Sequence, residues 1–205
     1  MLEQIEKTIT ELKKSDKKNF VQSVDLVVSL KGIDLKKPES KFSEDLVLPH
    51  GREKDATVVV FSDNLKDLGC DILSSADIQR IAGDKREAKN IAGNTDFFLS
   101  EPPLMPLIGK VLGQTLAPRG KMPKLITGDP AKLVENYKRS VRIGVKNSPV
   151  IQCFVGKENM DTGKTAENVE AVIKFLETKL PRGRQNIGKV LLKLTMGKPV
   201  KIEVK

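Results

Sequence analysis

An α/β fold in two parts is what the sequence predicts: a doubly wound parallel sheet set inside an α/β unit built from both ends of the chain. Three observations predict it. From Asp55 to Val145 short β runs alternate with helical runs, the pattern of a parallel sheet with helices on its faces. Before that stretch lie a short helix and a strand, and after it a strand, a helix and a final pair of strands. Neither flank has enough strands for a core of its own, so the simplest architecture folds both ends together with the middle as an insertion.

In chain order, Leu2, Ile5, Ile9 and Leu12 fall on one face of an opening amphipathic helix. A strand follows in FVQSVDLVVSL. Phe20, Val24, Leu26, Val28 and Leu30 share one parity, while Ser23, Asp25 and Ser29 share the other, which predicts one buried face and one mostly polar face open to a partner. The middle reads ATVVVFS, DNLKDLG, CDIL, SADIQRIAG, DFFLS, PLMPLIGKVLG, PAKLVENYKRS and VRIGV. After it come the strand PVIQCFV, a helix with the stripe Val169, Val172, Ile173, Leu176 and Leu180, and the strands GKVLLKLTM and VKIEV. Boundaries near Ser62 to Asn64 and near Val145 to Pro149 suit a hinge between the two parts.

Composition narrows the function classes. The chain has 205 residues, 39% hydrophobic and 31% charged, with no Trp and one Tyr, which suits a globular protein with a heavily charged surface. No apolar run approaches the roughly 20 residues of a membrane helix, and the N-terminus is an amphipathic pattern, so a soluble intracellular protein is expected. Cys70 and Cys153 lie far apart in apolar stretches, as reduced thiols do. The net charge of +9 is unevenly spread, with 11 basic against 11 acidic residues over 1–60 and 11 against 6 over 156–205. From Lys179 onward Lys179, Arg182, Arg184, Lys189, Lys193, Lys198, Lys201 and Lys205 face one acid, Glu203. Such a block suits a polyanion, because each phosphate contacted releases condensed counterions.

Three stretches could carry chemistry. GKENMDTGKT at 156–165 sits where a phosphate-binding loop belongs, and a phosphate-handling nucleotidase is the alternative function it raises. A Walker loop needs four residues between its first glycine and Gly-Lys-Thr, whereas Gly156 to Gly163 leaves six. Thr165 equally suits the N-cap of the helix that follows. TLAPRGKMPK at 115–124 is a stiff basic loop, in which Arg119 and Lys121 either meet phosphate or tie the loop to a neighbour. LVLPHG at 46–51 carries the only histidine, His50, without a Ser, Cys or acid at recognisable spacing, so a turn is expected there.

Together LKGIDLKKPE, LPHG, LAPRGKMP and TMGKP, in this order, resemble the family of the large ribosomal subunit protein numbered one, in its archaeal form. The resemblance covers nearly the whole chain. It implies a discontinuous domain one, 1–62 with 149–205, and an inserted Rossmann-like three-layer α/β domain two, 63–148. It implies a protein that is not an enzyme and needs no cofactor or metal. Such a protein binds large-subunit rRNA at the mobile stalk on the tRNA-exit side and represses translation of its own mRNA through a mimic of that site. Exit-site tRNA is a further implied partner; the protein is expected in the cytoplasm, away from membranes, and monomeric when free. The implied RNA surface comprises Phe20, Ser23 and Asp25, then Thr195, Met196 and Gly197, with Lys193 and Lys198 beside them. Arg119 and Lys121 are candidates for a secondary RNA or tRNA contact. Lys198 departs from bacterial members, which commonly place Pro directly after the glycine.

Residue chemistry fits that surface. Gly197 lets the backbone approach a sugar, Thr195 offers a hydroxyl, and Met196 offers an adaptable face. Asp25 in a basic site makes sense as an acceptor for a base amino group or a 2′-OH. Phe20 suits stacking, although its parity also fits the core. Met196 is in phase with Val190, Leu192 and Leu194, which by itself favours core unless the strand bends at Gly197.

Overall fold

The computed structural model describes residues 2–15, 18–35, 41–65, 68–145 and 147–202. The residues at 36–39 of LKGIDLKKPE, and Glu203 and Lys205, lie outside the described residues. The elements open with α1 (Leu2–Ser15), β1 (Ser23–Leu30), β2 (Phe42–Val47), β3 (Val58–Phe61) and β4 (Asp71–Leu73). They continue with α2 (Ser75–Gly83), α3 (Lys85–Asn94), β5 (Phe97–Ser100), α4 (Met105–Val111), α5 (Gly113–Leu116), β6 (Lys124–Leu125) and α6 (Pro130–Lys138). They close with β7 (Ser140–Val145), β8 (Val150–Lys157), α7 (Thr162–Lys179), β9 (Ile187–Leu194) and β10 (Val200–Ile202).

Two compact units result, residues 1–54 with 139–205 and residues 55–138. The division at Lys54/Asp55 and Lys138/Arg139 comes earlier in the chain than the 62/63 and 148/149 boundaries that the sequence suggests. The reason is pairing. β3 is bonded between β4 and β5 and so belongs to the inserted unit, whereas β7 is bonded to β2 of the outer unit.

In the outer unit β10, β9, β1 and β8 form an antiparallel sheet in that order. Val24, Leu26, Val28 and Leu30 of β1 are buried, and Ser23, Asp25, Val27 and Ser29 between them are only half-buried. The buried side meets Ile5, Ile9 and Leu12 of α1 and Val169, Val172, Ile173 and Leu176 of α7. Each such aliphatic side chain contributes about 1.5–3 kcal/mol when fully buried. β2 and β7 form an antiparallel pair that adds Val141, Ile143 and Val145 to the same core. Sequence periodicity overlooks β2, because FSEDLV is half polar and never fully buried.

The inserted unit is a parallel sheet, order β4-β3-β5-β6, with cores on both faces. Val59, Phe61 and Phe98 point to one side against α2, α3, α4 and α5, and Val58, Val60, Phe97 and Leu99 point to the other against Val134 of α6. This is the Rossmann-like three-layer arrangement, and burial on both faces explains why VVVF and FFLS are unbroken apolar runs. The described residues of DNLKDLG are not helical. An unforeseen helix, α3, starts at Asp84, whose carboxylate accepts from the Arg86 and Glu87 N–H groups. It buries only Ala88 and Ala92, too small a stripe to stand out in sequence.

Candidate nucleic-acid interface

Because α1 and α7 cover one face of the four-stranded sheet, the opposite parity of its strands makes a surface of its own. At one end of that surface, Thr195, Met196 and Gly197 form a turn. β9 stops at Leu194, and the Gly197 N–H donates to Leu194 O at 3.0 Å. The chain therefore bends two residues before Gly197, and Met196 is 66% exposed instead of following Leu194 into the core.

The turn is fastened to β1. The Thr195 N–H donates to Ser23 O at 3.1 Å, and the Ser23 N–H donates to Thr195 Oγ1 at 3.0 Å. The threonine hydroxyl is thus already one half of a reciprocal clasp, with part of its bonding capacity remaining. The Met196 N–H donates to Oε1 of Gln22, a fully buried side chain. Glu158 N–H in turn donates to Gln22 O at 2.9 Å. Gln22 holds Met196 outward; in the sequence a polar residue at core parity between Phe20 and Val24 is the one signal it gives.

Phe20 lies outside β1, which begins at Ser23, and its ring is 52% exposed beside exposed Val21. Its parity does not carry it into the core because Gln22 takes the last inward position. Lys18, Asn19, Phe20, Val21, Glu158 and Asn159 line a cleft of about 440 Å³ there.

Farther along, Asp25 stands opposite Lys193 on β9 and opposite Phe154 on β8. Burial pushes the Asp25 carboxyl up, and the Lys193 ammonium partly offsets this. A register shift between Val24 and Asp25 skips Val155, pairing Val24 with Gly156 and Asp25 with Phe154. Phe154 and Lys157, three residues apart, are thereby both half-buried, while Cys153 and Val155 between and before them are core. Lys198 is exposed just beyond the turn.

The remaining sequence candidates resolve into structure. The 156–165 segment ends β8 and starts α7 at Thr162; the N-cap is Asp161, not Thr165, and its carboxylate accepts from the Lys164 N–H at 3.2 Å. Thr165 is fully buried and donates to Asp161 O. The helix N-terminus is occupied by the chain's own carboxylate. His50 sits in a turn, with Nε2 2.6 Å from Glu167 Oε2. Lys121 Nζ donates to Ala92 O and Thr95 O at 2.9 and 2.6 Å, and Arg119 donates to Lys89 O at 3.1 Å. Both cations thus donate to backbone carbonyls of α3 and its C-cap. Cys153 is buried, its thiol pushed up to about 12 by desolvation, and Cys70 is half-buried; both are free thiols. Among the described residues no helix is long and apolar enough to cross a membrane.

This chain is similar in sequence to known proteins. A protein named Large ribosomal subunit protein uL1 from Pyrococcus abyssi is 44% identical over 194 residues, which cover 91% of this chain and 89% of the relative. One of the same name from Thermofilum pendens is 42% identical over 195 residues, covering 91% and 86%. Another from Methanobrevibacter smithii is 37% identical over 213 residues, covering 98% and 100%. The model of the Ribosomal protein L1p/L10e family matches residues 12–198. By these matches the chain belongs to the Ribosomal protein L1p/L10e family, a family of ribosomal proteins and not of enzymes.

Proposed function

We propose that this protein is a component of the large ribosomal subunit that binds large-subunit rRNA at the mobile stalk on the tRNA-exit side. In the same reading it represses its own messenger through an RNA that mimics the rRNA site. It works in the cytoplasm, meets exit-site tRNA on the ribosome, and is a monomer when free. The relatives' name supports the subunit. One observation supports the surface above all: an exposed Met196 held outward by a buried Gln22, on a turn clasped to Ser23.

In this reading Met196 and Phe20 supply apolar contact to nucleosides, and Gly197 admits the sugar-phosphate backbone closely. Asp25 accepts from a base amino group or a 2′-OH. Lys193 and Lys198 add charge that fixes register without reading sequence. In the second domain, Lys121 is committed to two backbone carbonyls, so Arg119 is the more accessible of the two cations for tRNA. The test is binding to a large-subunit rRNA fragment across a salt series, comparing wild type with Met196→Ala, Gly197→Val and Lys201→Ala. Met196→Ala and Gly197→Val are expected to lose tenfold or more at unchanged salt slope, corresponding to about 1.4 kcal/mol per tenfold. If all four proteins bind alike, with salt alone governing affinity, the reading fails.

A further inference from the structure

Beyond the turn and β1, the loop that follows β2 reaches over the same sheet. His50 N–H donates to Asn168 Oδ1 at 3.1 Å, and Asn168 Nδ2 donates to Gly51 O and Val155 O at 3.1 and 3.0 Å. Asn168 is fully buried in α7, so the loop is pinned to the core from beneath. Gly51 takes φ +65°, which glycine adopts without cost. Glu53 takes φ 66°, among the described residues the only non-glycine in that region. Such a conformation costs about 1–3 kcal/mol and persists where surrounding contacts over-determine it, often at binding sites.

What this loop delivers is Arg52 and Glu53. The Arg52 guanidinium lies over the Phe154 ring, 5.3 Å from its centroid, and Glu53 Oε2 is 3.8 Å from Lys157 Nζ. Phe154 is paired with Asp25, and Asp25 with Lys193, so Arg52, Phe154, Asp25 and Lys193 make one row across three strands. Only the register shift beside Asp25 brings Phe154 into that row. A loop strained into place, an aromatic ring re-aimed by a bulge and a guanidinium over that ring therefore converge at one point.

We propose that this Arg52–Phe154 pair is a nucleobase platform, which receives an unpaired base of the same RNA that the turn at Met196 contacts. The inference rests on the RNA-binding reading above. A guanidinium over a ring joins a planar, delocalised cation to an aromatic face, a pairing suited to a base that a lysine ammonium does not supply. Neighbouring strands are about 4.8 Å apart, so a base on the platform lies one strand from the Asp25 carboxyl, which can accept from its amino group. Lys193 at the far end of that row, and Lys157 three residues beyond Phe154 on β8, suit the adjoining phosphates.

The test uses the full chain and a large-subunit rRNA fragment that retains its unpaired loops, with Arg52→Lys, Phe154→Leu, the double variant and Met196→Ala measured together. Arg52→Lys keeps the charge and lies outside the core, so it decides even if Phe154→Leu lowers the melting temperature. Arg52→Lys and Phe154→Leu are each expected to weaken binding five- to tenfold at unchanged salt slope. The double variant should be little weaker than either, because the two side chains act as one unit. Arg52→Lys binding within twofold of wild type, with Met196→Ala weakened, would overturn the platform and leave the RNA-binding reading intact. Loss in Arg52→Lys without loss in Phe154→Leu would also overturn it, in favour of a bidentate phosphate contact. If Arg52→Lys and Met196→Ala both bind like wild type, the RNA-binding surface itself is refuted.

Discussion

The two four-stranded sheets of this molecule are built from similar apolar residues and are left with opposite surfaces. In the outer unit both helices lie on one face of an antiparallel sheet, so alternate residues of β1, β8 and β9 remain available. In the inserted unit helices pack on both faces of a parallel sheet, and VVVF and FFLS have no face left to offer. Even the basic loop of that unit turns Lys121 inward, onto the carbonyls at the end of α3. The difference teaches where contact chemistry can reside: a half-covered sheet presents its strands, whereas a sandwiched one presents only its loops.

Asn168→Ala should break the outer unit hardest. It orphans His50 N–H, Gly51 O and Val155 O beneath the loop, each of which costs about 1–3 kcal/mol when buried and unpaired. A net loss of about 3 kcal/mol in urea unfolding is expected, together with weaker RNA binding in the folded protein as Arg52 leaves Phe154. Stability lost without any change in binding would separate the loop from the interface. Lys121→Met is the matching change in the inserted unit. Removing the ammonium from Ala92 O and Thr95 O should cost about 1.5 kcal/mol, since hydrogen bonds from charged groups are worth roughly that. RNA binding should stay at the wild-type level. Weakened binding by this variant would mean that the inserted unit carries contact of its own.

Much of this division is legible in the sequence. The alternation in SVDLVVSL names the buried face of β1 residue by residue, and the apolar runs of the middle announce a doubly covered sheet. What local pattern cannot encode is which distant strand a segment bonds to. β7 reads as the last strand of the inserted sheet, yet it pairs with Phe42–Val47, so the domain boundary moves with it. Phe20 and Met196 both follow core parity and are both exposed, because a buried glutamine and a turn interrupt the period just beside them. The Arg52–Phe154 pair depends on a bulge and on a buried asparagine in another element, neither of which has a sequence signature. Thr165 looks like a helix cap, but Asp161, four residues earlier, is an equally good one and leaves room for another turn of helix.

The smallest effect sharpens the comparison most, because its two readouts should move in opposite directions. Asp25 is half-buried on the open face, and desolvation raises its carboxyl above the ordinary range despite Lys193 opposite. A carboxyl that holds its proton more tightly when folded makes its full contribution to stability below the unfolded-state pKa of about 3.9. That contribution is lost as pH rises through the raised folded value, and it stays lost at neutral pH. Asp25→Asn cannot ionise, so relative to wild type it should be slightly more stable at pH 7, with the difference vanishing toward pH 3. Urea midpoints across that range measure it. Binding should change in the other direction, since the amide keeps one acceptor oxygen but replaces the other with a donor, against a base amino group that is itself a donor. A variant that folds better and binds RNA worse would mark Asp25 as a residue placed for contact at the expense of stability. If the variant gains no stability and binds as tightly, the carboxylate is simply solvated and the open face ends at the turn.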